Sequence, residues 1–452
     1  SIYTYDFMCM SLWKGHKMIA YFESFGCKVN QYETEIIKSD FRLKGYEITA
    51  DPAAADVAVI NSCTVTASGD SKCLYSLRRL RKLNPDAVIV LTGCMPQASP
   101  DIAENIEEAD IVTGTKDRSR ITSLVEDFIK NKNKIVSILE YGKNDGFENM
   151  SCGGFSGRTR AFVKIQDGCD QFCSYCIIPY ARGRSRSKPV EVIREEAAAL
   201  ALEGHKEIVL AGINLAFYGR DIGLCMIDAV EECCKIEGVE RVRLGSLEPE
   251  MISDDDLLRL SALEQFCPQF HLSLQSGCDR TLRSMNRHYN TQEYFELASK
   301  IRRIFPDCSL TTDIMVGFPG ETDRDFEESM EFIEKIGFSR IHVFQYSPRK
   351  GTPAAEKIQI PKDIKHKRAE QMKKLGDRLQ REYLKKQVGK TVKVLFELES
   401  SPEFHQGYAP DYTMIKIPSK NCEKSLRRMI FYVKIVRSND NFCIGEIISD
   451  KQ

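Results

Sequence analysis

The chain has 452 residues, of which 42% are hydrophobic and 29% charged, with a net charge of −1. That length holds two or three globular domains, and that polarity excludes a membrane-embedded class. No stretch reaches the roughly 20 apolar residues of a spanning helix, and no secretory signal order opens the sequence, so a cytoplasmic protein is expected. Seventeen cysteines, an odd number in a long chain, point to reduced thiols and metal ligation rather than a disulfide framework. Near-neutrality excludes a uniformly basic nucleic-acid coat, yet the charge is uneven. Residues 362–386 hold ten Lys/Arg against four Asp/Glu, and Arg182, Arg184, Arg186 and Lys188 form a shorter basic run. The ordinary reading of such runs is a solvated face.

Residues 1–17 have no clear period and are set aside as an N-terminal extension. From Met18 the runs IAYFESF, VAVI and AVIVL alternate with the helical patterns YETEIIKSDFRLKG and SKCLYSLRRLRKL. This βαβ series predicts a small parallel sheet in a domain spanning 18–141. Each of the three strands runs into a cysteine: Cys27 in SFGCKVN, Cys63 in INSC and Cys94 in TGCM. Ligands of open parallel sheets bind beyond the carboxyl ends of the strands, so residues 36 and 31 apart in sequence are expected to converge there. A buried core thiol is the usual alternative for each cysteine taken singly. Cys73 falls inside a helical pattern.

Residues 142–158, GKNDGFENMSCGGFSGR, are rich in Gly, Ser and Asn and read as a linker. Beyond it, over 159–386, six strand-like runs alternate with helices: AFVKIQ, EIVLAG, RVRLGS, QFHLSLQ, SLTTDIMVG and RIHVFQY. They predict a partial (β/α)6 barrel whose chemistry sits at the carboxyl ends of its strands. The unusual residues collect at those ends: three cysteines after the first strand, Asn214 after the second, Glu248 after the third, Gln275 at the fourth and Asp313 at the fifth. The basic helix of 362–386 closes this domain. Short alternating runs over 387–452 (TVKVLFE, TMIKI, FYVKIV, FCIGEII) predict a small antiparallel β-barrel. The expected fold class is therefore α/β, with a parallel-sheet domain, a partial barrel and a terminal β-barrel.

Cys169-x-x-x-Cys173-x-x-Cys176 supplies three thiolates on one loop, which suits an iron–sulfur cluster with one iron left open to another ligand. A zinc site lacking a ligand and three unrelated core cysteines are the alternatives. With Tyr175 before the last cysteine, the loop resembles the radical S-adenosylmethionine superfamily. The resemblance implies that S-adenosylmethionine chelates the open iron and is cleaved by one electron to a 5′-deoxyadenosyl radical. It also implies an adenine-side contact at Tyr175 and a polar cofactor contact at Glu248, in LGSLEP. Asn214 and Gln275 are further cofactor-binding candidates, for which structural hydrogen bonding is the alternative.

GCKVNQYETE, NSCTVT and TGCMPQ resemble the three ligand motifs of the methylthiotransferases, and the resemblance extends over residues 18–450. It implies a second 4Fe-4S cluster on Cys27, Cys63 and Cys94, a 4Fe-4S cluster on Cys169, Cys173 and Cys176, and a C-terminal TRAM domain. Within that group GCKVNQYETE, CTVT, IIPYARG and YSPRKGTPA are most similar to MtaB-type tRNA enzymes, which methylthiolate carbon 2 of N6-threonylcarbamoyladenosine beside the anticodon. Such a cycle uses two molecules of S-adenosylmethionine, one as methyl donor and one as radical source. Its implied partners are the tRNA anticodon loop, an external one-electron reductant and a sulfur source, with no membrane. The nucleoside would be splayed into the active cavity while the basic helix and TRAM region hold phosphates. Asn214, Gln345 and GSLEP stand where close relatives usually have His, Pro and SSIEP. The C-terminal segment matches least specifically. Rival readings are methylthiolation of isopentenyladenosine in tRNA or of an aspartyl residue in a ribosomal protein, and, outside enzymology, an RNA-binding adaptor with structural metal. The remaining cysteines, including Cys9, Cys152, Cys233, Cys234, Cys422 and Cys443, read as structural.

Overall fold

Runs of small and β-branched residues set the first sheet. VAVINS at Val57–Ser62 (β3) and VIVLTG at Val88–Gly93 (β4) are buried along their whole length, the pattern of parallel strands covered on both faces. The computed structural model describes residues 17–142, 145–150, 158–397, 402–421 and 425–448. The expected N-terminal extension, except for Lys17, lies outside the described residues, as do Cys9, Cys152 and Cys422. The described chain forms two compact units, one of residues up to Thr64 with Ser68–Glu140, the other of Val65–Ala67 with Tyr141 onward.

In the first unit β1 (Ile19–Ser24), β2 (Glu47–Thr49), β3, β4, β5 (Ile111–Thr113) and β6 (Ile135–Ser137) pair in parallel in the order β2-β1-β3-β4-β5-β6. Helices α1 (Lys28–Leu43), α2 (Ala67–Leu83), α3 (Cys94–Ala98), α4 (Pro100–Glu104) and α5 (Ile121–Asn131) make the connections. One face of the sheet packs Val57, Val59, Val88 and Val90 against Ile37 and Phe41 of α1 and Val125 of α5; the other packs Ile60, Ile89 and Leu91 against Leu77 and Leu80 of α2. Each of these fully buried aliphatic side chains contributes about 1.5–3 kcal/mol. Cys73 lies on α2 in the second of these cores, its thiol pushed up to about 12 by burial, consistent with a packing role.

The second unit holds β7 (Ala161–Lys164), β8 (Gln166–Asp167), β9 (Arg186–Ser187), β10 (Glu207–Ala211), β11 (Arg241–Leu244), β12 (Ser246–Leu247), β13 (Gln269–Leu272), β14 (Ser309–Val316) and β15 (Arg340–Gln345). Six of these, β7, β10, β11, β13, β14 and β15, are the expected strands. They form two parallel sheets, β11-β10-β7 and β12-β13-β14-β15, with an isolated bridge from Val242 to Phe266 between them. The barrel is thus incomplete, as expected, and also split at β11. Helices α6 (Ile178–Arg182), α7 (Val190–Leu202), α8 (Met226–Cys234), α9 (Asp254–Ser261), α10 (Asp279–Ser284), α11 (Thr291–Ile304) and α12 (Asp323–Ile336) intervene. Capping boxes at Asn290/Glu293 and Thr322/Asp325 start α11 and α12.

Pro361 precedes the 26-residue α13 (Lys362–Gln387), which is the expected basic helix. After it β16 (Thr391–Phe396), β17 (Phe404–Tyr408), β18 (Met414–Pro418), β19 (Ile430–Ser438) and β20 (Cys443–Ile447) close a barrel in the order β16-β17-β18-β20-β19. It is antiparallel as expected except at β18–β20, which run parallel. Three arginines seat this barrel at the amino ends of β7, β10 and β11. Arg241 donates to the carbonyls of Tyr408 and Lys393 at 2.9 and 2.8 Å, and Arg243 to that of Pro410 at 2.8 Å. Arg160 pairs with Glu397 and lies over the stacked rings of Tyr408 and Tyr412. The fully buried Glu207 accepts from Arg243 at 2.9 Å and Arg241 at 3.4 Å. Among the described residues no helix is long and apolar enough to cross a membrane.

Candidate functional site

Strand order places Cys27, Cys63 and Cys94 at the carboxyl ends of neighbouring strands. β1, β3 and β4 are adjacent in the sheet, and each ends one to three residues before a cysteine: Cys27 at the N-cap of α1, Cys63 after β3 and Cys94 at the first position of α3. Two glycines allow the approach. A Cβ on Gly26 would lie 2.6 Å from the Cys63 Sγ; one on Gly93, whose φ is +102°, would lie 2.5 Å from the Ser62 carbonyl oxygen. Buried amides then fix the turns. The Asn30 Nδ2 donates to the carbonyls of Phe25 and Ser62 at 2.8 Å each, and the Asn61 Nδ2 donates to the Asn30 carbonyl at 3.0 Å. The Ser62 hydroxyl donates to the Thr92 carbonyl at 2.6 Å and accepts from the Met95 amide at 3.2 Å, tying the β3 and β4 ends to each other. Cys63 and Cys94 are buried and Cys27 is exposed.

In the second unit a buried ionic knot precedes the cysteine loop. Asp167 accepts from Lys164 at 2.6 Å, Arg182 at 3.0 Å and Arg186 at 3.4 Å. Lys188, wholly buried, pairs with Glu196 at 2.5 Å. The short basic run is therefore not a solvated face: three of its four cations are consumed internally, and Arg184 alone is exposed. On the far side of the loop the Ser174 amide donates to the Met285 carbonyl at 2.9 Å, its hydroxyl to that of Ser284 at 2.8 Å, and the Asn286 amide group to that of Phe172 at 3.1 Å. Held at both ends, the loop carries Cys169, Cys173 and Cys176 at the carboxyl end of β7.

Burial dominates the electrostatics of this loop. The Cys169 thiol is pushed up to about 11 by burial, with Cys173 and Glu248 adding to the rise and the Gln171 amide and Asn214 opposing it. Cys176 is raised by burial and then by Cys173, and Cys173 by burial with Arg287 opposing. Asn214 donates from Nδ2 to the Cys169 Sγ at 3.7 Å, while its own Oδ1 is buried without a hydrogen-bond partner. Glu248 pairs with Arg287, which is 8% exposed and also donates to the Cys173 Sγ at 3.3 Å. Burial still holds the Glu248 carboxyl above the usual carboxylate range. Arg287 is in turn held by the Tyr289 hydroxyl at 3.2 Å and the Ser273 carbonyl at 3.3 Å.

A cavity of about 190 Å³ opens at Cys176, walled by Tyr175, Gln275, Asp313, Met315 and Phe344. Gln275 has φ +68°, an unfavourable backbone held by the Asp313 carbonyl and the Met315 amide at 2.9 and 2.8 Å, the kind of strain that collects at functional sites. Tyr175 packs edge-on against Phe318. Of the sequence-selected side chains, Tyr175 and Gln275 line the cavity, while Glu248 and Asn214 contact the cysteine loop through Arg287 and Cys169. Arg287 escaped the sequence reading; its only signal is a cation in the apolar-flanked MNRHY that follows α10.

Thiolates in this arrangement can hold metal. Among the described residues neither cysteine triplet brings its sulfurs within 4.8 Å of one another, the crowding of ligands round a single ion. Two triplets of thiols with no histidine among them are the donor set of an iron–sulfur cluster. The orphaned Asn214 Oδ1 and the cavity beside Cys176 leave room for a polar ligand at the loop.

The family profile described as Radical SAM superfamily matches residues 163–333, and that described as Uncharacterized protein family UPF0004 matches residues 19–114. The chain is 40% identical over 377 residues to the threonylcarbamoyladenosine tRNA methylthiotransferase MtaB of Thermotoga maritima, covering 83% of this chain and 86% of that relative. The enzyme of the same name from Bacillus subtilis is 35% identical over 439 residues, covering 94% and 96%. A tRNA-2-methylthio-N(6)-dimethylallyladenosine synthase of Clostridium botulinum is 35% identical over 439 residues, covering 95% and 96%. Among solved structures, the radical S-adenosylmethionine methyltransferase TsrM of Kitasatospora setae is similar in fold, with a TM-score of 0.55 and 13% identity over 75% of this chain and 74% of that one.

Proposed function

Because the chain belongs to the radical SAM tRNA methylthiotransferase family, we propose that it converts N6-threonylcarbamoyladenosine beside the tRNA anticodon to its 2-methylthio derivative. The observation that carries the reading is a strand-end cysteine triplet in each unit, on adjacent parallel strands in one and on the loop after β7 in the other. The choice of nucleoside draws support from the relatives named for threonylcarbamoyladenosine and from GCKVNQYETE around Cys27.

Cys169, Cys173 and Cys176 are assigned to one 4Fe-4S cluster and Cys27, Cys63 and Cys94 to the other. When bound, the first with S-adenosylmethionine supplies hydrogen abstraction from an unreactive carbon and the second supplies the sulfur to be methylated and transferred. The chain's own residues set the stage for this. Cys173 is buried in the loop, and the cations of Arg182 and Arg186 are spent on Asp167 rather than on substrate. Asn214 and Arg287 donate hydrogen bonds to two of the thiols, orienting them as outer partners orient metal ligands. Tyr175 and Gln275 are assigned to the adenosine side of the cofactor, with Glu248 and Asn214 as polar contacts. An external one-electron reductant and a sulfur source complete the cycle, and tRNA as substrate implies a cytoplasmic site of action.

The test is anaerobic incubation of iron-reconstituted protein with reductant, S-adenosylmethionine and tRNA carrying threonylcarbamoyladenosine, followed by nucleoside digestion and mass spectrometry. The reading expects a 2-methylthio product on that nucleoside, lost in Cys27→Ala. Formation of 5′-deoxyadenosine with no tRNA product would retain the radical chemistry and reject the substrate; product on isopentenyladenosine alone would move the enzyme to the other tRNA branch.

A further inference from the structure

Phe172 lies between the first and second cysteines of the loop and has φ +47°, a left-handed backbone that is costly for a bulky side chain. The surrounding structure enforces it. The Asn286 Nδ2 bond to the Phe172 carbonyl, together with the two Ser174 bonds to Ser284 and Met285, clamps the loop from one side. On the other side the Ser185 amide donates to Asp170 at 3.2 Å. The ring that results is 37% exposed instead of buried in the barrel. Tyr180, in the short helix α6 and 53% exposed, meets it edge-on with ring centroids 5.9 Å apart. The Arg184 guanidinium sits 5.0 Å over the Phe172 ring and is fixed there by Asp170 at 3.0 Å. Three planar groups are thus displayed to solvent on the segment that carries the cysteines, with a strained backbone as the cost.

Nothing in the proposed chemistry uses these rings. Phe172 and Tyr180 are absent from the cavity wall, and neither makes a hydrogen bond to a cluster cysteine among the described contacts. Their charge is also informative. Arg184 is balanced by Asp170, so the group offers flat π faces with no surplus cation, which suits a nucleobase and not a phosphate. Single-stranded RNA loops are read by unstacking bases and laying them on aromatic rings and guanidinium planes. Resting on the tRNA reading above, we propose that Phe172, Tyr180 and Arg184 form a stacking platform for a base flanking the target nucleoside, holding the anticodon loop open while the target enters the cavity.

The design of the platform supplies clean variants. Glycine adopts the φ of residue 172 without strain, so Phe172→Gly removes the ring while suiting the loop; Tyr180→Ala trims an exposed side chain from a short helix. Anticodon stem–loop RNAs carrying 2-aminopurine either 5′ or 3′ of the target adenosine report stacking by fluorescence quenching. Wild-type protein quenches one of the two probes. Either variant abolishes that quenching and weakens RNA binding roughly tenfold, the scale of one lost base–aromatic stack. The slope of affinity against salt stays unchanged because no phosphate contact is lost. Phe172→Tyr restores quenching, and iron content and RNA-independent formation of 5′-deoxyadenosine are retained in all three. Undiminished quenching and affinity in both variants would overturn the platform while leaving the tRNA reading intact. Failure of wild-type protein to bind the stem–loop would overturn both.

Discussion

Glu207→Gln tests whether the C-terminal barrel is seated by charge. The carboxylate is 1% exposed and serves Arg243 at 2.9 Å and Arg241 at 3.4 Å, which pass on to main-chain carbonyls of the terminal barrel. Burial alone would push this carboxyl up, but Arg243, Arg241 and Arg160 outweigh it and hold it below the ordinary value of 4.5. The substitution keeps the shape and strands buried guanidinium charge, a loss of about 3–5 kcal/mol. At about 1.4 kcal/mol per factor of ten, protection of the barrel amides against opening falls by roughly two to three and a half orders of magnitude. Hydrogen exchange read by mass spectrometry reports it on peptides from β16 to β18, with β3 and β4 of the first unit as internal controls. A depressed carboxyl stabilises fully above its unfolded value and loses that contribution as pH falls through its folded one. The gap between wild type and variant is therefore complete at neutral pH and narrows below about pH 4.5. Equal exchange at pH 7, or a gap that persists unchanged in acid, would refute the argument.

Three other outcomes follow from the same geometry. Arg287→Gln leaves Glu248 buried without its cation and lowers stability by about 3 kcal/mol, and adding Glu248→Gln recovers most of the loss in denaturant titrations; additive losses would show that the two do not act as a pair. Gly93→Ala forces a Cβ against the Ser62 backbone at a φ of +102° and costs about 3 kcal/mol, with reduced iron uptake at the first unit, whereas an unchanged melting temperature would speak against a tight β4 end. Cys176→Ala removes one cluster's worth of iron together with 5′-deoxyadenosine formation, while Cys94→Ala removes a similar amount of iron and leaves 5′-deoxyadenosine; iron analysis and chromatography distinguish these, and identical phenotypes would contradict two separate sites.

What the sequence made legible was periodic or local. Short apolar runs located the strands that end at the cysteines, and a period-3.6 pattern the basic helix, whose structural bounds are Lys362–Gln387. The FHQGY strand, β17, was missed because glycine and two polar side chains interrupt its alternation, and the parallel β18–β20 pair is a matter of topology that strand patterns do not encode. Charges with distant partners were misread in the same way. Arg182 finds Asp167 fifteen residues away and Lys188 finds Glu196 eight residues on, so a run that looks solvated in the chain is mostly interior. Arg287 escaped notice because Glu248 precedes it by 39 residues and nothing in the local pattern announces the pairing.

Two of the arginines that seat the terminal barrel, Arg241 and Arg243, address its peptide groups: the carbonyls of Lys393, Tyr408 and Pro410 receive them whatever side chains those residues carry. That part of the joint is indifferent to substitution on the barrel's side so long as the backbone path persists, whereas the Arg160 part depends on Glu397, Tyr408 and Tyr412. The barrel's outward side chains can then change without loosening the Arg241 and Arg243 part of its attachment.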